Sequence, residues 1–227
     1  LTLSAGPAVG SRPGWMSRRG PVVVESAVAD LLRAQGRRVL RAEGPLWTTL
    51  FALLFADLYF LPLPGALPTR FLAGPLDLGS PSFASRRAEH VAVVRHDILA
   101  GLAERRLRQA WERWQGCALA GAHWGLADAD ALGAMAAGLG PKALWDVLSY
   151  LLARGGRGAS GLPDLVVLPG PPVRLPAFPS RLEAGLHCLE VKGPGDALRD
   201  EQRVWLDRLG RAGVRAEVWD IRPLDAC

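Results

Sequence analysis

The last third of the chain changes its hydrophobic period twice, and that change limits what it can fold into. "LPDLVVL" (162–168) is a short apolar run with Asp164 at its mouth, which predicts a central strand covered on both faces. "LHCLEVKG" (186–193) predicts a second strand, whose period of two puts Cys188, Glu190 and Lys192 on one face and Leu189 and Val191 on the other. "DALRDEQRVWLDRLGRAG" returns to helical spacing, with Leu198, Gln202, Trp205, Leu206 and Leu209 on one stripe and Gly213 near its end. "VRAEVWDI" predicts a closing strand. The segment "PGPPVRLPAFPSRLEAG" between the first two strands is too proline-rich for a strand interior and predicts a long surface loop.

Upstream the pattern is helical. "VESAVADLLRAQG" repeats its apolar residues at Val24, Val28, Leu31 and Leu32 and ends where Gly36 can cap it. "AEGPLWTTLFALLFADLYF" offers Pro45 as a first helical residue, is apolar all round, and leaves Glu43 just outside its N-terminus. The apolar run at 46–63 approaches the length of a membrane span, but Asp57 interrupts it and Pro62 and Pro64 close it. A buried helix is therefore expected, with no membrane partner. Residues 61–85 read as irregular. From about Asp97 to Gln115 one helix is expected, with Arg105, Arg106, Arg108 and Arg113 on a wet, basic face. A helical pair near 127–138 and 141–153 runs into the loop "RGGRGASG". The first 20 residues are rich in Gly, Pro, Ser and Arg without an apolar period, and predict a flexible tail.

A chain of 227 residues with 49% hydrophobic content can bury an ordinary core. Cys117, Cys188 and Cys227 have neither pairing nor zinc-like spacing, which excludes a disulfide framework and points to a reducing home. The net charge of +5 permits a polyanionic partner. Of its 27 basic residues only Lys142 and Lys192 are lysines, and one of them stands two positions after Glu190 on a strand. Hydrolysis of a phosphodiester calls for a divalent cation, and Mg²⁺ or Mn²⁺ takes hard oxygen ligands. Asp164 and Glu190 on adjacent strands can supply two carboxylates at one cleft. Lys192 points the same way, and its compact ammonium can approach a single oxygen where an arginine fork cannot.

The Pro-Asp followed by Glu-Val-Lys resembles the core motif of the PD-(D/E)XK nucleases. "EVKGPGDALRDEQRVWLDRLGRAGVRAEV" is similar to the VRR-NUC branch of that superfamily. "EGPLWTTLFALLFADLYF", "GPLDLGSPSFASRR" and "GLPDLVVL" follow the order found in its Fanconi-associated nucleases. The resemblance covers about residues 22–222. It implies an α/β, restriction-endonuclease-like core, a mixed sheet flanked by helices, in one nuclease domain at 21–227 with a helical insertion at about 61–155. It also implies a metal-dependent, structure-selective nuclease acting as a 5′ flap endonuclease and 5′-to-3′ exonuclease in DNA repair, including interstrand crosslink repair in the nucleus. Branched or flapped DNA is the implied partner, with repair proteins reached through regions upstream. Carried over by position, the metal ligands are Glu43, Asp164, Glu190 and the Val191 carbonyl, and the catalytic set is Asp164, Glu190, Lys192 and Gln202. The chain departs from the family at Ala197 and Glu201, where relatives often carry basic residues. The alternative is a catalytically idle DNA-binding or interaction module of a repair complex, against which the presence of every candidate catalytic side chain argues.

Overall fold

A computed structural model describes residues 2–9, 12–17, 20–69, 71–174 and 181–223. The chain forms two compact units, Leu1–Ala42 with Gly161–Cys227, and Glu43–Ser160.

The first unit opens with β1 (Thr2–Leu3), β2 (Ala5–Val9), β3 (Arg12–Ser17) and β4 (Gly20–Val22). β2, β3 and β4 pair as an antiparallel sheet. Composition predicts a tail here, but Trp15 is 2% exposed and joins the core around the first helix. Burying one indole ring gives this polar stretch the apolar anchor that its average composition hides. α1 (Val24–Ala34) follows, its C-terminus closed by Gly36 at φ +81°.

The main sheet contains β5 (Val39–Arg41), β6 (Leu165–Val167), β9 (His187–Lys192) and β10 (Arg215–Asp220), in the order β10-β9-β6-β5. The short pair β7 (Val173–Arg174) and β8 (Arg181–Leu182) lies between β6 and β9 in sequence, inside what composition reads as loop. Part of that segment, 175–180, falls outside the described residues. β9 and β10 run parallel and need a crossover, which α8 (Asp200–Arg211) supplies. The other two pairings in this sheet are antiparallel, so it is mixed. β11 (Arg222–Pro223) pairs with β1. Ala27, Val28 and Leu32 of α1 pack with Leu165, Val167, Leu189, Val191 and Trp219 in one buried cluster. The opposite face of β9 carries Cys188 and Glu190, and α8 lays Gln202 there.

The second unit is helical: α2 (Gly44–Leu54), α3 (Ala56–Tyr59), α4 (Ser82–Ser85), α5 (Ala88–Leu99), α6 (Ala103–Trp114) and α7 (Ala129–Leu152). α2 starts with Glu43 at its N-cap and Pro45 in its first turn, and Leu46, Trp47, Leu50 and Phe51 are all buried. No helix among the described residues is long and apolar enough to cross a membrane. The single helix expected from about Asp97 is two. Gly101, at φ +78°, breaks the chain between α5 and α6, and Leu99 is 41% exposed while α5 buries Val94 and Ile98. α7 bends where Gly140 (φ +77°) meets Pro141, the division that the sequence pattern expects.

Candidate active site

Strand register brings the two central carboxylates together. β6 and β9 pair Leu165 with Leu189, and the same register carried one residue further sets Asp164 opposite Glu190. Asp164 is fixed at both ends of the residue. Its carbonyl accepts the Ala42 amide at 2.7 Å, and its Oδ2 accepts the Val191 amide at 2.8 Å. The glycine of "GLPD" has a physical reason. Gly161 sits at φ +85° against the start of α8, where a Cβ would come within 2.7 Å of the Glu201 carbonyl carbon and 2.9 Å of the Gln202 nitrogen.

Glu190 is 1% exposed and Gln202 3%. Lys192 Nζ lies 2.8 Å from Glu190 Oε1 and donates to Gln202 Oε1 at 3.1 Å, while Gln202 Nε2 donates to Glu190 Oε1. Gln202 Oε1 also accepts the Arg199 backbone amide at 2.9 Å, so one side chain caps α8 and ties it to the charged residues of β9. Gln202 thus contacts both Lys192 and Glu190. Glu190 Oε2 is buried with no hydrogen-bond partner among the described residues.

Burial raises the Asp164 carboxyl first, and the neighbouring charge of Glu190 raises it further, to about 7. Burial also raises Glu190, against the pull of Lys192. Two carboxyl groups in a desolvated site resist double ionisation, so near neutrality the pair holds a proton that a cation can displace. Glu25, in the first turn of α1, adds a further negative charge that bears on Asp164. Sequence reasoning passed over this residue. The signal was available in the "VES" that opens the helix, but an acidic first-turn residue reads there as helix-end electrostatics.

Glu43 belongs to the other unit, as N-cap of α2. Among the described residues no three His, Cys, Asp or Glu side chains converge closely enough to hold a cation by themselves. Asp164 and Glu190 nevertheless fit a hard divalent ion: both are oxygen donors, one buried oxygen lacks a partner, and their mutual repulsion is what a cation relieves. Cys188 is fully buried, and burial pushes its thiol up to about 12, as suits a space-filling residue.

The basic face expected on the helical unit is largely neutralised. Asp77 pairs with Arg86 at 2.8 Å and with the buried Arg87 at 2.9 Å. Arg106 meets Asp57 and Asp97, Arg108 meets Glu104 and Asp130, and Arg113 meets Asp57. Of the arginines expected on that basic face, Arg105 alone has no carboxylate partner among the described residues.

The whole chain superposes on a crystal structure of paFAN1 bound to DNA with a 2-nucleotide 5′ flap and a gap, with TM-score 0.80 and 26% identity, covering 37% of that chain. It is 32% identical over 189 residues to a Fanconi-associated nuclease 1 homolog of Arabidopsis thaliana, and 32% over 190 residues to the one of Oryza sativa subsp. japonica. Each alignment covers 83% of this chain, and a homolog of Pseudomonas aeruginosa is 30% identical over 82% of it. The chain spans about a fifth of the length of the two plant relatives, 20% and 19%. The VRR-NUC domain model matches residues 100–223, which include Asp164, Glu190, Lys192 and Gln202. A mixed sheet that pairs these carboxylates, together with that match over more than half of its length, makes this chain a member of the VRR-NUC domain family.

Proposed function

We propose that this chain is the nuclease portion of a metal-dependent, structure-selective DNA repair enzyme that hydrolyses phosphodiester bonds at 5′ flaps and 5′ ends, including those beside interstrand crosslinks. The observation that carries this reading is the register-matched Asp164–Glu190 pair, with Glu190 Oε2 buried and unpartnered and Lys192 held on the same carboxylate. The likeness to paFAN1 bound to flap DNA supports DNA as the substrate class.

Asp164, Glu190 Oε2 and the Val191 carbonyl would hold the cation, Mg²⁺ or Mn²⁺. Glu43, joined by one peptide bond to the Ala42 that pairs with Asp164, would complete the set. A divalent cation held there supplies polarisation of the phosphoryl oxygens and acidifies water beside it. The protein does the rest. Glu190 and Gln202 take two of the three donors of Lys192 Nζ, which leaves one N–H for the nucleophilic oxygen or the charge that develops on phosphorus oxygens. Gln202 fixes that direction because its amide bonds both members of the pair and the first turn of α8. The burial of Glu190 and Gln202 strengthens each of these contacts. Partner proteins belong to regions of a longer protein. A relative in Pseudomonas aeruginosa means that family membership by itself fixes no compartment, so a nuclear location is proposed for a eukaryotic source alone.

The test is cleavage of a 5′ flap, a 3′ flap and plain duplex, with and without Mg²⁺ or Mn²⁺. Flap cleavage that requires metal and vanishes in Glu190→Gln, with DNA binding kept, is expected. Cutting without metal, or a preference for one base sequence, refutes the reading.

A further inference from the structure

We infer that Arg199 is a phosphate-binding residue of this site, its guanidinium holding a backbone phosphate of the DNA beside the Glu190–Lys192 pair. The inference rests on the nuclease reading and assigns it a further residue.

Three observations converge. Position comes first: the Arg199 backbone amide donates at 2.9 Å to Gln202 Oε1, the same oxygen that accepts Lys192 Nζ at 3.1 Å. One glutamine oxygen therefore fixes where both cations start from. Availability is second: Arg199 is exposed, and among the described residues its guanidinium has no carboxylate partner. In the helical unit Arg86, Arg87, Arg106, Arg108 and Arg113 face acids, and among the described residues Arg105, like Arg199, does not. Need is third. Lys192 is already engaged by Glu190 and Gln202, and it shares the site with the acids Asp164, Glu190 and Glu25. Once a cation displaces the shared proton, Lys192 and one divalent ion together only balance those three acids, which leaves no positive charge over for a phosphodiester anion. The nearby positive charge of Arg199 already acts on Glu190. An arginine fork can take two oxygens of one phosphate at once.

Because the contact is to phosphate, it carries no base information and holds the strand in register over the carboxylates. The experiment uses this chain as it stands with a nicked 5′ flap duplex, comparing the parent, Arg199→Gln, Arg199→Lys and, as control, Arg211→Gln at the far end of α8, where Arg211 pairs with Asp207. Binding is read in EDTA across a salt series, cleavage in Mg²⁺, and folding by thermal melt. Arg199→Gln should lower kcat/KM by about 10- to 100-fold, the worth of one charge-assisted hydrogen-bond pair. It should also make the slope of log affinity against log salt shallower by about one. Arg199→Lys should recover the salt slope and part of the rate, and Arg211→Gln should match the parent. An unchanged salt slope in Arg199→Gln overturns the inference even if cleavage falls, because a residue that merely supports Gln202 does not move it. A parent chain that cuts no DNA overturns the nuclease reading itself, whereas a parent that cuts beside an equally active Arg199→Gln overturns only the role given to Arg199.

Discussion

Replacing Asp164 with Asn separates what the site does for stability from what it does for chemistry. The side chain keeps its size and its acceptor for the Val191 amide, but loses the charge that burial and Glu190 make costly. An acid whose folded pKa is raised is bound more tightly to its proton in the fold. Its stabilising contribution is complete below the unfolded value near 3.8 and is lost as the pH climbs through about 7. At roughly 1.4 kcal/mol per pH unit, the interval between those values sets a ceiling of about 4 kcal/mol on what the parent loses by pH 8. Lys192 and water entering the cleft reduce this to about 1–3 kcal/mol. Asp164→Asn should therefore be more stable than the parent by about 1–3 kcal/mol in EDTA at pH 8, with a gain less than about half as large at pH 5. The assay is urea unfolding at both pH values. In Mg²⁺ the order should close or reverse, since a ligand at a hundredfold its Kd stabilises the parent by about 2.7 kcal/mol and the variant has lost an oxygen anion. Asp164→Asn that is less stable than the parent at pH 8, or a gain equal at both pH values, refutes this account of the pair.

Three further outcomes follow from the same contacts. Lys192→Arg keeps the charge but cannot keep a single compact donor between Glu190 and Gln202, so cleavage should fall at least about 100-fold while DNA binding in EDTA persists; near-parental rates would reduce Lys192 to a counter-charge. Gly161→Ala should cost more than about 2 kcal/mol in urea unfolding, because the residue adopts φ +85° and its new Cβ meets backbone of Glu201 and Gln202. Arg87→Met leaves Asp77 with Arg86 alone and removes donors to the Leu58 and Phe83 carbonyls, for an expected loss of about 3–5 kcal/mol in thermal or urea unfolding; a loss below about 1 kcal/mol would show the buried pair to be dispensable.

The strands and helix of the sheet core were legible because periods of two and 3.6 report which face is covered, and each of Leu189, Val191, Trp205 and Leu209 is buried as its period requires. The meeting of the candidate acids was legible for the same reason. Once two strands pair antiparallel through Leu165 and Leu189, Asp164 and Glu190 must oppose each other, and Lys192 must share the face of Glu190. Glu25 was hidden because its role depends on the packing of α1 against the sheet, which no spacing within α1 encodes. The strands β1 to β4 were hidden because their anchor in the core is Trp15, one residue in a stretch whose composition argues for solvent.

Charge was the least legible property, and the reason is geometric. A run such as "AERRLRQAWERW" shows how many cations one helix carries, but their partners lie elsewhere in the chain: Asp57 after α2, Asp77 in an irregular segment, Asp97 on α5 and Asp130 on α7. Sequence spacing sees only neighbours three or four residues away, of which the Arg108–Glu104 pair is an instance. Pairing makes the buried Arg87 and the largely covered Arg106 fasteners of the helical unit, while the exposed Arg86 and Arg108 share their charge with an acid at 2.8 Å. The net charge of +5 thus says little about where a nucleic acid is held. What matters is which cations remain unengaged beside the acidic cleft, and Arg199 meets that condition through a single backbone hydrogen bond to the glutamine that also orders Lys192.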